Sequence, residues 1–115
     1  MDIFEKALSQ IGKEYTVRKL TTTYAQIDFL DELFDAYNCM FIGVLFEDNQ
    51  VILTDNADYA EICRWEEKDL VDVKAICDKH HIIFKNWHIE CVYQNNQDIK
   101  NYLDCLRELS EKYVD

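Results

Sequence analysis

Residues 39–54 read CMFIGVLF-EDNQ-VILT. Two apolar runs rich in β-branched and aromatic residues flank four polar ones, Glu47, Asp48, Asn49 and Gln50. Asp and Asn tolerate the left-handed backbone that a tight turn demands, so the stretch predicts an antiparallel hairpin. The first run is the longest apolar run in the chain, eight residues from Cys39 to Phe46. A membrane span needs about 20, so this run reads as a buried strand.

Toward the N-terminus, Tyr24–Phe29 alternates Ala25, Ile27 and Phe29 against Tyr24, Gln26 and Asp28, which suits a half-buried strand. The whole stretch from Tyr15 to Phe29 is rich in Thr, Tyr, Val and Ile. DELFDAY, 31–37, reads as a connection. Ile3, Phe4, Ala7, Leu8 and Ile11 follow helical spacing up to Gly12, predicting a helix over 2–11.

Toward the C-terminus, TDNADYAEIC (54–63) predicts a short helix capped by Thr54 or Asp55. Asp69 is placed to cap another, with Leu70, Val73, Ile76 and Cys77 inward. A strand over Ile82–Tyr93, broken near Lys85-Asn86, turns Trp87, Ile89, Cys91 and Tyr93 to one side. QNNQD (94–98) supplies a stop and a cap, and the last helix carries Ile99, Leu103, Leu106, Leu109 and Tyr113 on one face. Strands and helices are mixed around a local antiparallel pair. The fold class expected is α+β: a small antiparallel sheet with a central hairpin, packed against N-terminal, middle and C-terminal helices.

The length, 115 residues, suits one domain over 1–115. Half the residues are apolar, 13% are aromatic, proline is absent and glycine occurs twice, so a packed globule is expected and a flexible linker is not. The N-terminus lacks a basic start followed by an apolar run, so no signal peptide is expected. Five cysteines, an odd number, then suggest reduced thiols in a cytoplasmic protein. Cys63, Cys77, Cys91 and Cys105 are spaced by 14, but the segments following them share no other pattern, and the spacing is read as chance.

The net charge of −11 is unevenly placed. From Leu20 to Cys63 there is no Lys or Arg, and nine acids: Asp28, Asp31, Glu32, Asp35, Glu47, Asp48, Asp55, Asp58 and Glu61. The other 71 residues hold 14 acids and 12 bases, so nine of the eleven excess charges lie in one segment. One reading is a solvated surface that aids solubility. The other is a one-sign patch that steers a basic partner. On the second, the acids from Asp28 to Glu61 are expected to share a face. Direct nucleic-acid binding is disfavoured, since phosphate contacts need clustered Lys and Arg.

Candidate chemistry is sparse. Cys77, His80 or His81, His88 and Cys91 have zinc-ligand spacing, but alternate residues of a strand face opposite ways, so His88 and Cys91 diverge. Core cysteines and surface histidines are the expectation, with no metal or other cofactor. A cysteine nucleophile needs an activating base and an electropositive setting, which this acidic chain does not offer. Asp55, Asp58 and Glu61 fall within two helical turns and suit Mg²⁺, making a metal-dependent hydrolase or nuclease the enzymatic rival. Such sites usually add an acidic-x-Lys pair on a strand. Here Asp72-Val73-Lys74 and Asp98-Ile99-Lys100 fall in predicted helices. No P-loop, dinucleotide glycine motif, G-x-S-x-G or H-E-x-x-H is present.

The order YTVRK (15–19), IDFLDELFD (27–35), VILTDNADYAEI (51–62), LVDVKAICDKHHI (70–82) and NYLDCLRELSEKY (101–113) resembles a family of small domains of unknown function in bacterial and phage proteins. There a hairpin runs into a Leu-Thr-Asp-acidic/amide-Gly segment. The resemblance spans Tyr15 to Tyr113, matching at Phe29, Leu30, Asp31 and Asp35, then at Leu53, Thr54 and Asp55. Ala57 stands where that family has glycine, and Asp28 where it often has proline. The resemblance implies an α+β domain of phage or mobile-element background and no established activity.

Together these readings favour a non-catalytic interaction protein that engages a basic, nucleic-acid-handling host protein through Asp28, Asp31, Glu32, Asp35, Glu47, Asp48, Asp58 and Glu61. An anti-CRISPR or anti-restriction inhibitor acting as a DNA mimic is the concrete form. No membrane partner is expected. The alternatives are the hydrolase centred on Asp55, Asp58 and Glu61, and a homodimeric structural or regulatory module with an exposed aromatic face.

Overall fold

The computed structural model describes residues 2–28, 41–56 and 64–113. Helix α1, Ile3–Ile11, starts at Asp2, whose Oδ1 accepts the Glu5 N–H at 2.7 Å. It buries Phe4, Ala7, Leu8 and Ile11, the apolar positions that its spacing predicted. Gly12 ends it in an ordinary right-handed conformation, its N–H closing onto the last turn.

Strands β1 (Thr16–Lys19), β2 (Tyr24–Asp28), β3 (Phe41–Glu47) and β4 (Gln50–Thr54) follow as an antiparallel meander. Asp48 and Asn49, at φ 52° and 60°, form the two-residue turn between β3 and β4. Both central residues left-handed is the turn whose twist matches the flanking strands. Ala25, Ile27, Ile42, Val44, Val51 and Leu53 all point to one face and are buried.

A 3-10 turn at Glu67–Asp69 leads into helix α2, Leu70–Lys79, which buries Val73, Ile76 and Cys77. Asp69 does not cap α2 through its side chain as expected; its Oδ2 accepts the Glu66 N–H at 2.8 Å and closes the 3-10 turn instead. The strand expected over Ile82–Tyr93 is two strands, β5 (Ile83–Lys85) and β6 (His88–Val92), folded back on each other. Asn86 and Trp87 make the turn with φ 51° and 66°. Helix α3, Asn96–Tyr113, closes the chain after Asp98 accepts the Gln94 and Asn95 N–H groups.

The six strands form one antiparallel sheet in the order β1-β2-β3-β4-β6-β5, with the helices packed against it, an α+β fold. Ile89, Cys91 and Tyr93 extend the buried face, as their alternation predicted, whereas Trp87, expected on the same side, lies in the β5–β6 turn and is exposed. On α3 the buried face is Ile99, Tyr102, Cys105, Leu106 and Leu109, while Leu103 and Tyr113 are only half-buried. Gly43 lies where β3 passes under Tyr24 and Asn56: an added Cβ would meet the Tyr24 hydroxyl at 3.0 Å and the Asn56 amide at 3.1 Å. Those two groups hydrogen-bond at 2.7 Å across it.

Among the described residues, no helix is long and apolar enough to cross a membrane.

Candidate functional site

The acids of the base-free segment fall into three settings. Glu47 and Asp48 sit at the tip of the β3–β4 hairpin, exposed, where the turn geometry pushes them away from the core. Asp28 ends β2 opposite Phe41, at the other end of β3 from Glu47. Six residues of strand separate the two levels, about 20 Å. Asp28 is also compensated: Arg18 on β1 donates to it from Nε at 2.7 Å and from Nη2 at 3.2 Å. This two-pronged pairing holds the guanidinium proton more firmly than usual. A single uncompensated face running from Asp28 through Glu47 and Asp48 is therefore not what the described strands present. Asp31, Glu32, Asp35, Asp58 and Glu61 lie outside the described residues, as do residues 57–63 of the helix expected over 54–63; its expected first residue, Thr54, instead ends β4.

Asp55 occupies the third setting. It is 3% exposed, and its Oδ1 accepts the Ile89 N–H of β6 at 3.0 Å. Thr54 accepts the Asn56 N–H through its hydroxyl. The Ile89 carbonyl in turn accepts the Tyr102 hydroxyl at 2.6 Å, so one residue of β6 is bracketed by a carboxylate from β4's end and a phenol from α3. Burial, then the Asp55 charge, hold the Tyr102 phenol well above its ordinary range. This arrangement makes Asp55 a buried acceptor for the sheet's backbone.

Among the described residues the lysine and arginine ion pairs use Arg18, Lys19, Lys68, Lys74, Lys79 and Lys112. Of these, only Arg18 has a partner among the described residues of the base-free segment. Lys68 pairs with Glu66 and Lys74 with Asp78, each beside its own sequence neighbours. Glu47 and Asp48 carry no ion pair among the described residues.

Cys77 is buried on α2 and faces Cys105 of α3, their sulfurs 3.8 Å apart, a contact between thiols. The hydrogen bond with Cys77 and then burial push the Cys105 thiol far up; burial pushes Cys91 up to about 11. Thiols held protonated in this way are poor nucleophiles. His80 meets Glu108 of α3 at 3.0 Å. His88 lies on the face of β6 opposite to Cys91, and His81 is exposed with φ 61°. Among the described residues no three His, Cys, Asp or Glu side chains are grouped to hold a metal ion. The Asp-x-Lys triplets at 72–74 and 98–100 lie in α2 and α3.

Comparison of the chain with protein-family models, with curated proteins and with solved structures finds no match to any of them.

Proposed function

We propose that this protein is a non-catalytic acidic interaction protein that binds a basic, nucleic-acid-handling protein in place of nucleic acid. The observation that carries this reading is the charge: nine of eleven excess negative charges fall in 44 residues without a base, and within that segment Glu47 and Asp48 lie on an exposed, hydrogen-bonded hairpin with no ion pair among the described residues. A protein surface built to hold phosphates presents rows of Lys and Arg. Carboxylates fixed on a rigid strand pair can occupy such rows by the same electrostatics. The concrete form of this reading is an inhibitor of host defence enzymes such as CRISPR or restriction nucleases, whose nucleic-acid sites are lined with bases.

The test is displacement. Fluorescently labelled DNA or RNA is bound to a panel of nucleic-acid-handling defence nucleases, and anisotropy is followed as this protein is added. Displacement from at least one nuclease is expected, weakening steeply as salt shortens the Debye length from about 10 Å at 0.1 M to about 3 Å at 1 M. Displacement that persists unchanged at high salt would speak against an electrostatic mimic.

A further inference from the structure

Trp87 is the side chain least accounted for by the fold. It occupies a left-handed backbone position, φ 66°, in the two-residue β5–β6 turn, where glycine is the favoured residue. A bulky residue there is strained, and Trp87 is 37% exposed. The same edge of the sheet exposes Ile83, at 53%.

The hydrogen-bond parity of β6 shows what else that edge offers. Tyr93 donates its N–H to Val51 of β4, and Ile89 donates to Asp55 on the same side. Residues 89, 91 and 93 therefore turn their main-chain groups toward β4, and His88 and Glu90 turn theirs toward β5. In the β5–β6 register His88 is opposite Lys85 and Glu90 is opposite Ile83. Among the described residues, Phe84 is left with its N–H and C=O pointing outward from the terminal strand of the sheet. Its side chain faces inward, edge-on to the Trp65 ring at 5.7 Å.

The opposite edge differs. β1 carries Arg18 and Lys19, with Lys19 tied to Glu5 of α1, and charged edges of this kind resist strand addition.

We propose that two copies of the chain join by antiparallel pairing of their β5 edges, with the two Phe84 residues exchanging main-chain hydrogen bonds across a two-fold axis. Centring on Phe84 places Ile83 opposite Lys85 of the second copy and Trp87 level with His81 of the second copy. The charges then agree. The charged side chains of the hairpin are Lys85 and Glu90, opposite in sign, so the seam itself sets no two like charges opposite each other. Across the axis, Glu90, Ile83 and Lys85 of the second copy share one row. The outer two are two strand spacings apart, roughly 9.6 Å, and the long lysine side chain reaches across the isoleucine. The pairing makes one continuous sheet and covers the exposed Ile83 twice over.

Sedimentation velocity over a concentration series tests this. The wild type is expected to pass from a species of 13.7 kDa to one of twice that mass. Ile83→Lys puts like charges opposite each other at both symmetric positions and is expected to weaken association roughly tenfold or more. The double variant Ile83→Lys/Lys85→Glu restores opposite charges and is expected to recover the dimer. Trp87→Gly relieves the turn, so it is expected to raise the melting temperature while loosening the dimer. Circular dichroism verifies that each variant is folded. A wild type that stays monomeric at millimolar concentration, a dimer indifferent to Ile83→Lys, or a folded double variant that does not recover it overturns the proposal. A dimer as tight in Trp87→Gly as in the wild type overturns the part given to Trp87.

Discussion

Asp55 shows how far one residue's role departs from what its neighbours in sequence suggest. In a run of Thr, Asp and Asn before a helical pattern it reads as a helix cap or, with Asp58 and Glu61, as a metal ligand. In the fold it lies almost wholly buried and accepts the Ile89 N–H, a partner 34 residues away that no local pattern names. Replacing it with alanine leaves that buried N–H unsatisfied, and the expected loss is about 1–3 kcal/mol. Asp55→Asn keeps an acceptor at the same reach and should recover much of it. Urea denaturation of both variants measures the pair, and equal losses would show that the acceptor is not what matters. Tyr102 is equally hidden: the α3 stripe is legible at Ile99, Leu106 and Leu109, yet a tyrosine between Asn101 and Leu103 gives no sign that its hydroxyl will reach the β6 backbone. Gly43 belongs with these, because the need for a missing side chain arises from Tyr24 and Asn56 crossing above it.

Elements were more legible than residues wherever the pattern was local. The β3–β4 hairpin follows from two apolar runs about an Asp-Asn turn, and α1 from its apolar spacing after Asp2. The β5–β6 pair reads in the sequence as one broken strand because Asn-Trp is a poor signal for a left-handed turn: asparagine suits it and tryptophan does not. The tie between α2 and α3 is long-range and likewise silent in sequence. There Glu108 accepts from Lys79 at 2.8 Å and meets His80 at 3.0 Å. These hydrogen bonds, the lysine's first, hold its carboxyl below the ordinary value of 4.5. A carboxyl lowered in the folded state adds stability above the unfolded value, and loses it as pH falls below 4.5 and through the folded one. Glu108→Gln should therefore be less stable than the wild type at pH 7, with the two converging in acid. A gap that stays constant from pH 7 to pH 3 would assign the effect to packing. At the alkaline end the sign is opposite. Burial, helped by the Asp98 charge, raises Cys91 to about 11 and Tyr93 to about 12, so the stability they contribute is present below their ordinary values of 9 and 10 and is lost as pH climbs through the raised ones.

At the scale of the whole molecule, charge was the most informative feature of the sequence, and the fold divides it in a way that composition cannot show. Asp28 is neutralised by Arg18 and Asp55 is buried, so the exposed negative surface among the described residues of the base-free segment is at the hairpin tip, in Glu47 and Asp48. Which acids reach the surface depends on strand register and on which base lies across the sheet. The gap in bases between Leu20 and Cys63 reports neither. The measurement that bears most directly on the acidic-surface reading is charge reversal at Asp31, Glu32, Asp35, Glu47 and Asp48, each changed to Lys in one variant, with Asp28 and Asp55 left in place. Binding to a nuclease that the wild type has been shown to displace from DNA is then measured for both proteins at 0.1 M salt, after circular dichroism has established that the variant is folded. The account predicts that the folded variant loses binding. A folded five-site variant that binds with wild-type affinity would contradict it.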